Sequence, residues 1–209
     1  PPDVNYSLWD NKLERDAGGT LGVRLGFRQI DGFHEEWADV LTTSRGSAFE
    51  EFTDLTKRAR LSKAALVILA EADAFRSLGM DRREGLWSVR RLPDDDGLPL
   101  FDVTQADDLA KETNAPLPLM RLSEHVVADY EKLRFSLKGD PMQFLRGLFK
   151  SERILSCAEL NAAKHGSRVK CGGVVITRQM PGDAGVVFMT LRDETGYCNA
   201  LAWPSIFDS

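Results

Sequence analysis

The N-terminal half of the chain carries apolar residues mostly at helical spacing. A first set, at i, i+4 and i+7, comprises Val23, Phe27 and Ile30. A second set follows Asp31-Gly32 and comprises Phe33, Trp37, Val40 and Leu41. Apolar residues at this spacing form one face of an α-helix, and a glycine-containing pair between two such sets is typical of a turn. The pattern therefore predicts a short helix, a tight turn and a second helix.

Further helices are predicted over three more segments, residues 49–55, 63–75 and 81–89. The second of these has the most regular apolar pattern. Ser62 immediately precedes it and can cap it, because a serine hydroxyl at this position accepts a hydrogen bond from a free backbone N–H. Residues 1–91 are therefore predicted to form one helical domain.

The middle of the chain changes in composition. Residues 92–118 are rich in proline, aspartate and glycine and show little apolar periodicity. Such a segment cannot bury enough apolar surface to offset the entropy cost of ordering it, so we predict an acidic linker and a domain boundary. Helical spacing returns over residues 122–137 and 142–149, which predicts a helical bridge over residues 119–168.

From residue 169 the apolar period changes to two, and β-branched residues dominate. The candidate strands are residues 174–177, 186–190 and 200–203, with turn-rich residues between them. They predict a three-stranded antiparallel meander over residues 169–209, and hence an α+β chain. A meander with exposed edges is marginal alone, so we expect that the sheet is cut short by the end of the chain.

The charge is distributed unevenly. The net charge of −5 is unusual for a nucleic-acid binder. Residues 93–131, however, contain ten acidic and two basic residues, which leaves a net charge of +3 for the remainder. Because attraction to a polyanion depends on where the charge lies, the overall sign does not exclude DNA.

Composition also limits the class of protein. No run of about 18 apolar residues is present, so we predict a soluble, cytoplasmic protein without a membrane-spanning helix. The chain begins without Met, so we expect it to start within a gene or after processing. Cys157, Cys171 and Cys198 are odd in number and lack CxxC spacing, and the three histidines are widely separated. Neither a disulfide framework nor a metal site is predicted.

Several short motifs occur in one collinear order. They include Asp3-Val4-Asn5-Tyr6-Ser7, Val23-Arg24-Leu25-Gly26, Asp54-Leu55, Asp129-Tyr130 and Ser136-Leu137-Lys138. With these motifs the chain resembles the α subunit of bacterial C-family DNA polymerases (DNA polymerase III). Further motifs resemble most closely the error-prone branch of that family: Arg82-Arg83, Leu86-Trp87, Leu98-Pro99-Leu100-Phe101, Arg178-Gln179-Met180-Pro181-Gly182 and Leu191-Arg192-Asp193-Glu194-Thr195-Gly196. The resemblance covers nearly the whole chain.

The resemblance implies a layout and a role. In this family, tandem helix-hairpin-helix motifs and an OB-fold follow the catalytic domains. Residues 1–91 would then be the helix-hairpin-helix DNA-binding domain, and residues 169–209 the first strands of the OB-fold. The catalytic palm aspartates are absent, so the chain should have no catalytic residue, no cofactor and no activity of its own, whereas the parent polymerase would use Mg²⁺. The implied role is to hold primer-template duplex and single-stranded template during damage-tolerant synthesis.

The resemblance also places two hairpins. A helix-hairpin-helix binds DNA because its turn offers backbone N–H groups and a helix N-terminus to a phosphate. In the first hairpin, Gly32-Phe33-His34, the family usually has a second glycine at His34, so DNA contact and a purely structural turn both remain open. In the second hairpin, Asp73 replaces a glycine, which favours helix packing. Nearby basic residues could meet the duplex backbone or simply be solvated: Lys57, Arg58, Arg60 and Lys63.

The predicted strand face could receive single-stranded DNA through charge and stacking. Lys170, Arg178 and Arg192 would supply charge. Trp203 or Phe188 would supply a stacking surface, although the continuous apolar run around Phe188 favours core packing for that residue.

The segment Leu98-Pro99-Leu100-Phe101 resembles the hydrophobic half of a sliding-clamp-binding peptide. Clamp binding would place Leu98, Leu100 and Phe101 in an apolar groove of the partner. The usual glutamine is missing, since Gly97 stands in its place, and this favours a loop anchored on its own domain.

Two alternatives to the error-prone interpretation remain open. The first is the corresponding region of the high-fidelity replicative α subunit, which a glutamine-containing clamp motif would have favoured. The second is a scaffold that docks partner proteins of a lesion-bypass complex and has weak DNA affinity. Partner binding that is insensitive to salt would favour the scaffold.

Overall fold

The computed structural model describes residues 1–15, 18–93, 117–182 and 185–206. The chain divides into two compact units, Pro1–Leu137 and Lys138–Ser209. The first unit is mainly helical and the second contains an antiparallel sheet, so the predicted α+β class is confirmed. Within the described ranges, no helix is long and apolar enough to cross a membrane.

Helices of the first unit lie close to the predicted segments. They are α1 (Glu35–Arg45), α2 (Phe52–Ala59), α3 (Lys63–Glu71), α4 (Arg82–Arg90) and α5 (Leu122–Leu133). The Ser62 hydroxyl accepts a hydrogen bond from the Ala65 N–H, which confirms the predicted cap of α3. α4 begins with a capping box, in which Asp81 and Glu84 exchange hydrogen bonds between side chain and backbone.

The predicted helix through Val23, Phe27 and Ile30 is wrong. The chain forms a β-hairpin of β1 (Lys12–Arg15) and β2 (Leu21–Arg24), followed by a 3-10 helix at Phe27–Gln29. Val23 is an exposed strand residue, whereas Phe27 and Ile30 are buried. The helical spacing misled because the two buried residues belong to one short turn, in which the Ile30 N–H donates to the Phe27 carbonyl at 2.9 Å.

The backbone at Gly26 passes directly against the N-terminal segment. A β-carbon at this position would lie 2.2 Å from the Trp9 carbonyl oxygen and 2.4 Å from the Asp10 carbonyl carbon. Both distances are far inside van der Waals contact, so only glycine fits. The adjacent Phe27 N–H donates to the Leu8 carbonyl at 2.9 Å, which holds the two segments together.

A buried polar network attaches the N-terminus to the helices. The Asn5 side chain forms two hydrogen bonds with the Phe49 backbone: its oxygen accepts from the N–H at 2.7 Å, and its nitrogen donates to the carbonyl at 2.9 Å. The Asp3 carboxylate accepts from the Ser77 hydroxyl at 2.7 Å and from the Ser77 N–H at 3.1 Å. The start of α2 and the connection from α3 to α4 are therefore attached to one short segment.

A buried ion pair joins α5 to α4. The side chains of Arg82 and Asp129 are 2% and 3% exposed and form a salt bridge. Arg82 also donates to the His125 carbonyl at 3.0 Å, and the Ser136 hydroxyl donates to Asp129 at 2.7 Å. A buried charge is costly unless it is paired and hydrogen-bonded. Separation of α5 from α4 would therefore leave both charges without their partner.

The second unit is built on a three-stranded antiparallel sheet in the order β5-β6-β7, which confirms the predicted meander. Its elements are α6 (Met142–Ser151), β3 (Ile154–Leu155), α7 (Cys157–Asn161), β4 (Lys170–Cys171), β5 (Val174–Gln179), β6 (Val187–Asp193) and β7 (Gly196–Ala202). β4 pairs in parallel with β3 outside this sheet. A meander of this kind is consistent with the beginning of an OB-fold.

Replacement of Gly26 by alanine is expected to destabilise the first unit by about 2–3 kcal/mol or more, because the new methyl group must displace backbone atoms rather than a flexible side chain. Thermal unfolding followed by the helical circular-dichroism signal would measure the loss. Gly22→Ala is the matched control, since a β-carbon at Gly22 meets no atom within 4 Å. Equal melting temperatures for the two variants would contradict the close approach.

Candidate nucleic-acid interface

One face of the sheet is exposed and carries aromatic side chains. In the register of β6 and β7, Phe188 lies opposite Leu201, and Arg192 lies opposite Tyr197. Cross-strand partners project from the same side of a sheet, so these four side chains share one face. Phe188, Tyr197 and Leu201 are 45%, 60% and 44% exposed. This surface, here called the outer face, offers aromatic rings beside a guanidinium.

The expectation that Phe188 packs in the core is wrong. Its neighbour Val187 is 2% exposed and faces the opposite side of the sheet. The apolar run of β6 therefore concealed an ordinary alternation, in which one apolar side is buried and the other reaches solvent.

The other predicted strand-face residues are spread over different surfaces. Arg192 forms a salt bridge with Asp140 at 3.2 Å. Arg178 lies opposite Met189, and therefore on the side of the sheet away from Phe188. Trp203 follows the last residue of β7 and is 60% exposed.

Lys170 lies in a basic groove of the same unit. The groove has a volume of about 480 Å³ and is lined by Glu152, Arg153, Leu155, Arg168, Val169 and Lys170. Its lining has three cationic side chains and one carboxylate, so the groove would attract negatively charged groups. Arg153 and Arg168 were not singled out from the sequence, because they lie in segments without strand or helix periodicity. The short spacing of Arg168 and Lys170 was the one available signal.

The first hairpin has the expected turn but an acidic helix start. Gly32 adopts a φ of +78°, a conformation that favours glycine. Phe33 is buried, and exposed His34 is the N-cap residue of α1. Glu35 and Glu36 occupy the first turn, where they would repel a phosphate. The structure thus provides the turn geometry, while the local charge opposes anion binding.

The second hairpin explains why a glycine would be expected at Asp73. α3 ends at Glu71, before the predicted end at Phe75, and Asp73 turns the chain with a φ of +61°. Aspartate tolerates this left-handed conformation better than most residues because its side chain can form local hydrogen bonds. Here the Asp73 carboxylate is buried and accepts from Arg76 Nε at 2.9 Å. The residue therefore serves the turn itself.

The basic cluster near α2 separates into two groups. Arg58 stacks over Phe49 and donates to the carbonyls of Ser44 and Ser47 at 2.8 Å, while Lys63 donates to the Leu92 carbonyl at 2.8 Å. These two cations support the fold. Lys57 and Arg60 are exposed at the end of α2. The clamp-like residues Leu98, Leu100 and Phe101 lie outside the described residues.

The three cysteines converge, although their spacing in the sequence did not indicate it. The Sγ atoms of Cys157, Cys171 and Cys198 all lie within 4.8 Å of one another. Burial raises the pKa of Cys157 and of Cys198 above the ordinary thiol value. Three separate segments contribute the thiols, so only the tertiary structure shows the cluster.

Asp193 anchors the end of β6. Burial alone would raise the pKa of its carboxyl group, but hydrogen bonds from Thr195, from the Cys157 N–H and from Arg146 outweigh this and lower the pKa to about 2. Arg146 Nη2 lies 2.7 Å from the carboxylate, and the Cys157 N–H donates to it at 2.8 Å. The ionised carboxylate thus ties α6 and α7 to the sheet.

Comparison with known proteins shows that the chain is similar to one segment of certain DNA polymerases. A family model described as "Helix-hairpin-helix motif" matches residues 1–85. The chain is 51% identical to an error-prone DNA polymerase of Rhodopseudomonas palustris (strain BisA53), over 99% of this chain and 20% of that protein. It is 49% identical to an error-prone DNA polymerase of Brucella abortus biovar 1 (strain 9-941), over 99% of this chain and 19% of that protein. The chain therefore spans about one fifth of the length of these relatives.

The low pKa of Asp193 predicts an acid-sensitive second unit. A carboxylate whose folded pKa of about 2 lies below the unfolded value of 3.8 stabilises the fold by about 2 kcal/mol above pH 5. This stability should be lost as the pH falls from about 5 to about 2, because both states then become protonated. Urea unfolding followed by the NMR signals of β6 and β7 amides would measure it.

One test variant and one control variant would show whether Asp193 causes this acid sensitivity. Asp193→Asn should be less stable at neutral pH and should lack this part of the pH dependence. Asp10→Asn removes a carboxylate that is 68% exposed in a surface ion pair, and it should leave the acid profile of the second unit unchanged. An unaltered profile in Asp193→Asn would show that other groups cause the acid sensitivity.

Proposed function

This chain is homologous over nearly its whole length to one segment of the error-prone DNA polymerases, and from this kinship we propose that it forms a DNA-holding part of such an enzyme. The identity of about half of the residues is the observation that carries the proposal. The parent enzyme would be a DNA-directed DNA polymerase that acts in damage tolerance, in the cytoplasm with its DNA. This segment would position DNA and would not transfer nucleotides by itself.

Within the described part of the chain, no three carboxylates converge to hold the Mg²⁺ ions of a parent polymerase. Polymerase Mg²⁺ ions require carboxylate and phosphate oxygens. Among the described ranges of the chain, the one convergent group of three metal-ligating side chains consists of cysteine sulfurs, which suit Mg²⁺ poorly.

The outer face is the surface that we assign to single-stranded template. Aromatic rings stack on any base, and this gives affinity without sequence preference. Phe188 and Tyr197 project from one side of the sheet. Arg192 projects from the same side and forms a salt bridge with the Asp140 carboxylate. The basic groove around Lys170 would add phosphate contacts, which position a strand without reading it. The same mode is used by the OB-folds that the meander resembles.

The helix-hairpin-helix unit would meet the duplex. Exposed Lys57 and Arg60 are the described cations of the α2 cluster that remain available for a phosphate, since Arg58 and Lys63 serve carbonyl groups of the fold. The turn at Gly32 could add backbone N–H contacts, but Glu35 and Glu36 limit them. We therefore assign the larger share of affinity to the second unit.

Removal of either ring of the outer face should weaken binding of single-stranded DNA. Phe188→Ala and Tyr197→Ala are each expected to reduce the affinity about 5- to 100-fold, the range for loss of one base-stacking contact. Fluorescence anisotropy with a labelled oligonucleotide would measure the dissociation constants. Val175→Ala is the control, because Val175 is 51% exposed, pairs with Leu191 and faces the opposite side. Equal affinities for all three variants would refute the assignment of the outer face.

The groove should contribute through charge alone. Lys170→Gln and Arg168→Gln should each reduce the steepness with which affinity falls with salt, by about 0.7 in the slope of log K against log salt concentration per lost phosphate contact. Lys170→Arg keeps the charge and should keep the slope. Weak DNA affinity of the wild type together with salt-insensitive binding of a partner protein would instead favour the scaffold that docks proteins of a lesion-bypass complex. Retention of the slope in both glutamine variants would remove the groove from the proposal.

The relatives bear on the remaining alternatives. The similar proteins reported above carry the name of error-prone polymerases, which favours that branch over the high-fidelity α subunit. Binding to a sliding clamp through Leu98, Leu100 and Phe101 stays a prediction from the sequence.

A further inference from the structure

The three cysteines of the second unit form a compact cluster of sulfur atoms. Cys157 begins α7, Cys171 ends β4, and Cys198 lies in β7. The Sγ atoms of Cys157 and Cys198 are 3.3 Å apart, and those of Cys171 and Cys198 are 3.7 Å apart. All three atoms lie within 4.8 Å of one another. From this geometry we propose that the cluster binds one soft, thiophilic metal ion of the zinc class through three thiolates.

The spacing of the sulfur atoms suits such an ion. A Zn–S bond of about 2.3 Å and tetrahedral angles place the sulfur ligands about 3.8 Å apart. The two shorter separations in the cluster lie within about 0.5 Å of this value, and the third, of at most 4.8 Å, exceeds it by at most about 1 Å. Soft thiolate ligands select zinc-class and cuprous ions over Mg²⁺ or Ca²⁺.

The burial of the cluster also fits an ion that solvent can reach from one side. Cys157 and Cys198 are 0% and 3% exposed, whereas Cys171 is partly exposed. An ion can enter at Cys171, and water can complete its coordination there. Each thiol releases its proton to the solvent as its sulfur binds, so three protons leave for each ion that is bound.

The backbone beside Cys171 is shaped to bring its sulfur to the sheet. A β-carbon at Gly173 would lie 2.9 Å from the Arg192 carbonyl oxygen, and one at Gly172 would lie 2.7 Å from a ring carbon of Phe149. The two glycines therefore permit an approach that larger residues would block. Simple apolar packing of three small thiols would also fill this space, but it does not require the third thiol to face solvent.

A bound ion would connect three parts of the second unit. It would link β4 and α7 to the sheet whose opposite side is the outer face. Ligands that bind only the folded state stabilise it in proportion to the logarithm of their concentration. The inference does not depend on DNA binding, because its measured quantities are metal stoichiometry and melting temperature.

The test is titration of the reduced full chain with Cd²⁺, a sulfur-preferring ion whose bonds to thiolate absorb in the ultraviolet. Buffers would contain a phosphine reductant rather than a thiol. We expect one ion per chain, displacement by Zn²⁺ and a higher melting temperature of the β-sheet signals. Absence of stoichiometric binding to the folded wild type would overturn the proposal.

Variants distinguish the cluster from other ligands. Cys171→Ser, at the partly exposed position, should stay folded and lose affinity at least 100-fold, and Cys198→Ala should do the same. Ala200→Ser is the matched control: it introduces a hydroxyl on the same side of β7, two positions from Cys198, and should bind like the wild type. Wild-type affinity in both cysteine variants would overturn the site.

Discussion

The hydrogen bonds of the N-terminal segment hold the first unit together. The side-chain amide of Asn5 accepts from the Phe49 N–H and donates to the Phe49 carbonyl. The Asp3 carboxylate accepts hydrogen bonds from the N–H and from the hydroxyl of Ser77. Asp3 and Asn5 are buried, so loss of a partner would leave their polar atoms without a hydrogen bond from water or from another group. The arrangement explains why a segment without helical or strand periodicity is central to a helical unit. Gly26 packs against the same segment at Trp9 and Asp10, where a β-carbon would collide with backbone atoms.

The second unit depends on a comparable polar anchor at Asp193. Its carboxylate accepts hydrogen bonds from α6, from α7 and from the turn after β6. It remains ionised because these hydrogen bonds outweigh the cost of burial. The two sides of the sheet differ in their surroundings. The buried side of the sheet holds the cysteine cluster, and the outer face leaves Phe188 and Tyr197 exposed to solvent. One strand alternation therefore creates two chemically different surfaces.

The proposed role in holding DNA follows from surfaces that position a polyanion without reading its sequence. In the proposed role, exposed rings, a groove with three cations and a turn at Gly32 would contact features that every DNA strand shares. Several cations that the sequence suggested for this purpose serve the fold instead, as Arg58 does at the carbonyl groups of Ser44, in the last turn of α1, and Ser47, just after it.

The sequence by itself determined the elements whose signals are local. The Ser62 cap, the strands of the meander and the family resemblance depend on neighbouring residues or on collinear motifs, and all three were confirmed. Contacts between distant segments decided the rest. Val23 belongs to a hairpin because β1 is available to pair with it, and Phe188 is exposed because packing covers only one side of the sheet. The cysteine cluster had no local signal at all, since its members come from three segments that meet only when long-range packing closes the second unit.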